Sequence, residues 1–373
     1  MADIPKFCFI IHPLSLEDVV RYEPGAKGKG APIVSKILEW MPAWAAVHVT
    51  GVRTPDGRET EGWFIATGLL PEQMLSLPRE DVYARILSAI ELGVERGAQV
   101  AGLGAFTAVV GDGGVTIARR SPIPVTTGNS LTISAGVQSL FRGAREMGID
   151  ASGATAAIVG ATGSIGGACA RLVASQVGHV ILVARNQTRL RKFHEHIAGD
   201  LPCTSDFTTD ISAAVRRAQL ILTATSSTQD VIEPEELQTG SVVCELSLPH
   251  DVSRRVATLR PDVLVTEGGN LLVPGEPRFE RVREPGTEFD LNLPPRTALA
   301  CMSETMVLAL ERRFECYTLG RGVDLGKVVE MEAMAARCGF TLGGMRAFDA
   351  AITPEKIAAT RSAAQARRAG VPA

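Results

Sequence analysis

The chain has 373 residues, enough for two domains and a sizeable buried core. With 38 Lys+Arg against 41 Asp+Glu its formal charge is -3, which excludes a nucleic-acid binder that works by neutralising many phosphates. A content of 45% hydrophobic and 21% charged residues excludes disordered, collagen-like and small disulfide-scaffold chains.

Apolar runs such as Phe7 to Ile11 and Val180 to Ala184 fall far short of the ~20 residues that cross a bilayer. Asp3 and Lys6 precede a short apolar run with no small-residue cleavage site, so no secretory signal is read and a soluble, cytoplasmic protein is expected. The 7 cysteines (8, 169, 203, 244, 301, 316, 338) are scattered and lack Cys-x-x-Cys or Cys/His ligand spacing. They read as reduced thiols, and no metal site is expected.

In chain order, Trp63 to Thr67 is strand-like, Val82 to Arg96 helical, and Val109-Val110 lead into a Gly-rich turn at Gly111 to Gly114. The run Thr155-Ala156-Ala157-Ile158-Val159 then meets Gly160-Ala161-Thr162-Gly163-Ser164-Ile165-Gly166, with a helix over Ala168 to Val177. Strand runs follow at His179 to Ala184, Leu220 to Thr225, Ser241 to Leu246 and Val263 to Glu267. Helical stretches at Thr188 to Ile197, Ser212 to Arg217 and Val252 to Leu259 separate them. Continuous apolar strands alternating with helices predict a parallel sheet covered on both faces. Beyond residue 294 the chain turns helical, over Pro295 to Phe314 and Lys327 to Arg337, and the tail from Thr353 reads as a basic helix.

The fold class is therefore α/β: a Rossmann-like doubly wound parallel sheet with a separate N-terminal α/β lobe and C-terminal helices. The expected divisions are 1–150 (N-terminal α/β lobe), 151–293 (doubly wound domain), 294–345 (helical segment) and 346–373 (basic tail).

A glycine turn between a buried strand and a helix has a physical use. Gly160, Gly163 and Gly166 allow a tight turn, close approach to a pyrophosphate and helix packing, while Thr162, Ser164 and Ile165 line the opening of a helix whose N–H groups and dipole face the anion. At the end of the second strand stand Ala184-Arg185-Asn186, with Arg189 one turn on. No carboxylate is present there to hold a ribose 2′-hydroxyl, and Arg185 is able to grip a 2′-phosphate, so NADPH is the expected cofactor. Thr225 and Ser226 follow the fourth strand, on the nicotinamide side by fold analogy.

From pattern alone Cys301, in Ala300-Cys301-Met302-Ser303-Glu304, is a buried thiol more than one turn inside its helix, and Glu304 a solvated or salt-bridged carboxylate on the same face. Cys169 and Cys244 read as core thiols. The sequence nonetheless resembles a known family, the long-chain fatty acyl-[acyl carrier protein] reductases best known from cyanobacteria, over about residues 8 to 345. The likeness runs through His12-Pro13-Leu14-Ser15-Leu16-Glu17, Leu70-Pro71-Glu72-Gln73-Met74 and Leu103-Gly104-Ala105-Phe106-Thr107-Ala108-Val109. It continues in Thr126-Thr127-Gly128-Asn129-Ser130, the Gly160 turn, Ala184-Arg185-Asn186-Gln187, Gly268-Gly269 and Ala300-Cys301-Met302-Ser303-Glu304. Pro249-His250 stands where that family has Pro-Lys, Pro274 to Asn292 aligns poorly, and the tail beyond about Arg346 extends past the family's usual end.

The resemblance implies that Cys301 is the nucleophile, forming an acyl-Cys301 thioester that NADPH reduces to a fatty aldehyde, with Glu304 as general acid or base. It implies Thr107, Asn129 and Ser130 as candidate oxyanion donors, with Phe106 beside them at the substrate. The implied partners are an acidic acyl carrier protein (or CoA), an aldehyde-consuming enzyme and a membrane surface touched peripherally. Carrier docking would fall to Arg119-Arg120, Arg216-Arg217, Arg254-Arg255, Arg312-Arg313 or the tail. Two other readings stay open: a shikimate or amino-acid dehydrogenase-like enzyme that reduces a small polar ketone without a cysteine, and a non-catalytic NADP sensor.

Overall fold

The computed structural model describes residues 4–227, 229–248 and 250–370, so Pro249 and the last three tail residues lie outside it. The chain forms two compact units: residues 1–131, 271–321 and 326–341, and residues 132–270, 322–325 and 342–373. The division falls at Leu131–Thr132 rather than near 150, because the helix Asn129–Met147 packs its glycines onto the second unit's sheet, Gly136 against Leu246 and Gly143 against Val242. The segment 294–345 is no separate body. Most of it joins the first unit, where the helix Ala300–Leu310 is buried along nearly its whole length.

The first unit holds a six-stranded mixed sheet in the order Gly275–Arg281, Trp44–Arg53, Glu59–Ala66, Lys6–Ile11, Val100–Leu103, Val125–Thr126. Its last four strands are mutually parallel, with Ile10 opposite both Ile65 and Leu103. Alternation along these strands sends Cys8, Ile10, Ile65 and Leu103 to one face, where they meet Ile86 and Ile90 of the helix Arg79–Glu95. On the other face Gly102 lies so close to Thr305 that a Cβ would sit 2.1 Å from its Oγ1, which is how the Ala300–Leu310 helix reaches the sheet.

In the second unit all six strands are parallel, in the order Leu264–Glu267, Val242–Glu245, Leu220–Thr223, Thr155–Val159, His179–Val183, Thr204–Thr208. Numbered along the chain this is 6-5-4-1-2-3, the Rossmann order with its switch point beside the first strand. The apolar runs of the sequence form the central strands. The edge strand Thr204–Thr208 has no such run.

The tail helix Pro354–Arg368 belongs to this unit, N-capped by Thr353, and packs through Ile357, Thr360 and Ala364. Two of its exposed arginines reach back to the unit: Arg367 meets Asp262 at 3.3 Å and Arg368 donates to the Thr239 carbonyl at 3.1 Å. Asp262 is itself buried against Arg260 at 2.7 Å. Burial opposes its ionisation, but the Arg260 hydrogen bonds and the charges of Arg260 and Arg367 outweigh it and hold the carboxyl below its ordinary 3.8. A depressed carboxyl contributes stability that is present above its ordinary value and lost as pH falls through the folded value. Replacing Asp262→Ala strands a buried guanidinium and is expected to cost about 3 kcal/mol at pH 7, read from urea midpoints, with the gap to wild type narrowing below about pH 4.

Candidate active site

The helix that carries Cys301 begins later than the sequence pattern suggests. Arg296 takes φ 60, the chain runs extended over Thr297–Leu299, and the helix starts at Ala300 with Leu299 as its N-cap. Cys301 is therefore the second helical residue, in a first turn without a side-chain cap, and not a residue more than one turn in. Such a position exposes its sulfur to unpaired N–H groups and the positive end of the dipole. Cys301 is partly exposed while residues 302–310 behind it are buried.

Gly128 sits directly on this cysteine. It takes φ +73, and a Cβ there would lie 2.4 Å from Cys301 Cα. Only glycine meets both demands.

Glu304, one turn on, is completely buried. Its Oε1 accepts from Thr126 Oγ1 at 2.5 Å and Thr318 Oγ1 at 3.0 Å, and its Oε2 from the Leu131 N–H at 2.9 Å. The Ser130 N–H also bonds to this carboxylate. Thr126 Oγ1 in turn accepts from the N–H groups of Gly128 and Thr318, each at 3.3 Å. Burial raises the Glu304 carboxyl and these donors pull it back, with the net direction upward. Both oxygens being engaged by the 126–131 segment and Thr318, the geometry makes Glu304 an anchor for that segment, not the open general acid or base of the sequence reading.

Burial also pushes the Cys301 thiol up to about 12, against the lowering pull of the Met302 N–H and with a small further rise from Glu304. The free protein thus holds a thiol. Cys169 and Cys244 are fully buried, with burial raising each of them further.

The candidate oxyanion donors separate. Thr107 Oγ1 donates to the Gly104 carbonyl at 2.7 Å, and Ser130 Oγ is 2.7 Å from Thr318 Oγ1, both buried. Asn129, partly exposed, directly follows Gly128.

Phe106 is buried, and its N–H donates to His12 Nε2 at 3.1 Å. His12 Nδ1 faces the Pro13 carbonyl at 2.9 Å, so that nitrogen carries the proton, and burial lowers the imidazole to about 4. This neutral histidine braces the turn at Ala105, whose φ of 45 is unusual outside glycine. The reading of residue types had no signal for His12, Thr126 or Thr318 as partners in this arrangement; only the positions of the family motifs touch the first two.

In the second unit the glycine turn has the shape a dinucleotide needs. Gly160 takes φ +90 and lies against the Ala224 carbonyl, Gly166 against the Gly160 carbonyl, and Gly163 is the N-cap of Ser164–Ala174 without a side-chain cap, a helix start of the kind that favours an anion. Thr162 and Ile165 lie within the same segment, between these glycines. Arg189 donates to the Thr162 carbonyl at 2.7 Å and thereby steadies the turn, and Asn186 Oδ1 caps its helix at the Arg189 N–H. Arg185 is exposed and, among the described residues, forms no ion pair. Thr225 bonds Asp251 and Ser247 beyond the fourth strand, beside the exposed Ser226.

Among the paired arginines, Arg120 is held by Glu80, Arg217 by Asp206, Arg254 by Asp349, Arg255 by Glu233 and Glu235, and Arg313 by Glu315 and Glu330.

Residues 143–266 match the Shikimate / quinate 5-dehydrogenase family. The chain is 32% identical over 310 residues to aminotransferase PigE of Serratia sp., covering 82% of this chain and spanning only about a third (35%) of PigE. It is 26% identical over 302 residues to the long-chain acyl-[acyl-carrier-protein] reductase of Synechococcus elongatus, covering 78% of this chain and 84% of that one. Among solved structures, L-tryptophan dehydrogenase from Nostoc punctiforme aligns over 98% of this chain and 89% of its own at 12% identity and a TM-score of 0.40. The second unit is a nucleotide-binding fold of the NAD(P)-dependent oxidoreductase type.

A thiol this far above neutrality predicts a distinct pH response. Alkylation of Cys301 in the free protein by iodoacetamide, followed by peptide mass spectrometry, is expected to accelerate about tenfold per pH unit between pH ~7 and ~9. A plateau below pH ~8 would mean that the thiolate forms without substrate.

Proposed function

We propose that this chain is an NADPH-dependent reductase of long-chain fatty acyl thioesters, borne by acyl carrier protein or CoA, that releases a fatty aldehyde by way of acyl-Cys301. The observation that carries the reading is a partly exposed cysteine in the uncapped first turn of a buried helix, pressed against Gly128 beyond a parallel strand. The Synechococcus relative, aligned along most of both chains, supports the same substrate class.

In this reading Cys301 Sγ attacks the thioester carbonyl, and the proton of its thiol leaves with the departing carrier thiolate. The bond to the carrier breaks and an acyl-Cys301 thioester remains. The N–H groups of Cys301 and Met302, with Asn129, receive the carbonyl oxygen as it gains charge. Glu304 is a positioning residue that fixes Gly128 and Asn129 beside the sulfur. When bound at the Gly160 turn, NADPH supplies the hydride that reduces the acyl carbonyl. Once reduced, the acyl carbon would release Cys301 Sγ as thiolate while its oxygen reforms the aldehyde carbonyl, and a proton from solvent would restore the thiol. The downstream partner is an enzyme that consumes aldehydes; amino-group transfer, the chemistry in PigE's name, is one such reaction.

A second reading, direct reduction of a small polar ketone, is favoured by the match to the shikimate/quinate family. That match ends at residue 266, short of Cys301 and its surroundings. A non-catalytic NADP sensor would hold cofactor and turn over nothing.

Incubating wild type and Cys301→Ala with palmitoyl-carrier protein, before and after adding NADPH, separates the three. An acyl adduct on wild type alone, discharged as aldehyde by NADPH, is the expected result. Aldehyde formation that survives Cys301→Ala removes the nucleophile, and small-ketone turnover with no adduct establishes the second reading. Arg185→Ala is expected to raise KM for NADPH about tenfold while leaving that for NADH unchanged, as loss of a charged hydrogen bond to the 2′-phosphate requires. Equal effects on both cofactors would reassign that phosphate.

A further inference from the structure

We propose that Asp251 is a positioning residue for NADPH: it holds the loop 225–227 against the Gly160 turn and so shapes the wall that meets the nicotinamide half of the cofactor. The strands Thr155–Val159 and Leu220–Thr223 lie side by side, with Val159 opposite Thr223. Their two exit loops therefore leave the sheet at its switch point, where a doubly wound fold receives its ligand. The loops touch: a Cβ on Gly160 would lie 2.3 Å from the Ala224 carbonyl oxygen and 3.3 Å from the Thr225 nitrogen. A displacement of Thr225 is thus felt at the glycine turn.

What fixes Thr225 is a carboxyl group that solvent does not reach, for Asp251 is completely buried. Its Oδ1 accepts from Thr225 Oγ1 at 2.5 Å, and its Oδ2 from Ser247 Oγ and, at 3.3 Å, from the Thr225 N–H. That N–H is shared with Ser247 Oγ at 2.8 Å. Thr225 Oγ1 in turn accepts from the Ser227 N–H at 3.0 Å, which closes the loop on itself. The hydroxyl and N–H of Thr225 are therefore both engaged within the protein, so Thr225 is not the direct cofactor ligand that the sequence suggests. Ser226 stands exposed between the two anchored residues.

Asp251 is itself held in place. Its N–H donates to Glu245 Oε1, at the end of the strand Val242–Glu245, and its carbonyl accepts from the Val231 and Ile232 N–H groups at 2.7 and 3.1 Å. Glu245 also receives the Val252 N–H at 2.9 Å and faces His250 Nδ1 at 2.8 Å. A role in packing alone is met at lower cost by an apolar side chain, since exchanging buried hydrogen-bonded groups for apolar ones of the same shape is often neutral. A fully engaged carboxylate instead specifies one loop conformation. The proposal rests on cofactor binding at the Gly160 turn, which the reductase, small-ketone and sensor readings share, and not on acyl chemistry.

The test titrates the full chain with NADPH, followed by nicotinamide fluorescence, and with adenosine 2′,5′-bisphosphate, the adenosine half of the cofactor, followed by calorimetry. Thr225→Val, which keeps the shape and removes the hydroxyl, and Asp251→Asn are each expected to weaken NADPH binding about tenfold while changing that of the adenosine half less than about twofold. Thr225→Ser, which restores the hydroxyl, is expected to bind NADPH as wild type does. Unchanged NADPH affinity in Thr225→Val and Asp251→Asn overturns the proposal. So does a loss shared equally by NADPH and the adenosine half, which makes Asp251 a support of the whole unit, or a Thr225→Ser variant that rescues nothing. If Asp251→Asn fails to fold, the two Thr225 variants decide. A wild type that binds no NADPH overturns the proposal together with the cofactor assignment. Aldehyde is not read, so failure of the acyl chemistry and failure of this proposal are distinguishable.

Discussion

A carboxyl group placed where no water reaches it is the constraint around which the first unit's site is arranged. Burying Glu304 unpaired would cost several kcal/mol, so donors must be brought to it from elsewhere in the chain. The strand end at Thr126, the N–H groups of Ser130 and Leu131, and Thr318 all converge on its two oxygens. Once Thr126 and Leu131 are both held, the residues between them have little freedom, and Gly128 is set down on Cys301. The glycine, the strand end and the start of the Asn129 helix are consequences of satisfying one buried group. A partly satisfied network of this kind would be worse than an apolar core, which gives every member a reason to be polar.

The dinucleotide unit was largely legible because its signals are local and redundant. Thr155–Val159 and His179–Val183 are apolar from end to end, as strands covered on both faces must be, and the glycine turn stands between strand and helix. The same reasoning is blind to Thr204–Thr208: an edge strand carrying Thr, Ser and Asp has no hydrophobic run to find. The start of the Cys301 helix is hidden from the sequence for a different reason. Pro294-Pro295 is an ordinary helix opening, but Arg296 adopts a positive φ and the next three residues pair as a strand, a choice made by tertiary contacts. Glu304 looked like a solvated helix carboxylate because its partners lie over a hundred residues away in sequence or beyond the helix's end. No spacing rule reports that.

The state of Cys301 follows from competition between two local fields. The helix start offers N–H groups that favour a thiolate, whereas the apolar surroundings and the nearby Glu304 disfavour it, and burial wins. A resting thiol is less nucleophilic but also less prone to oxidation than a thiolate, a fair exchange for a residue partly open to solvent. In the proposed reaction, ionisation would be left to the moment when a thioester carbonyl and a departing thiolate share the site.

The two units solve related problems with one local device. In the second, a parallel strand ends at Val159, Gly160 turns with φ +90, and a helix opens at Ser164. In the first, a parallel strand ends at Thr126, Gly128 turns with φ +73, and a helix opens at Asn129. Glycine is needed in both because the turn requires a positive φ and because another backbone lies where a Cβ would go. Each turn leaves helix N–H groups at the carboxyl edge of a sheet, the arrangement that attracts negative charge. At Gly160 that charge would be the pyrophosphate of the proposed dinucleotide. At Gly128 the partner is the protein's own: the Ser130 and Leu131 N–H groups that open the Asn129 helix hold the Glu304 carboxyl. The same geometry therefore suits an external anion in one unit, while in the other a buried side chain fills it and sets the turn against Cys301.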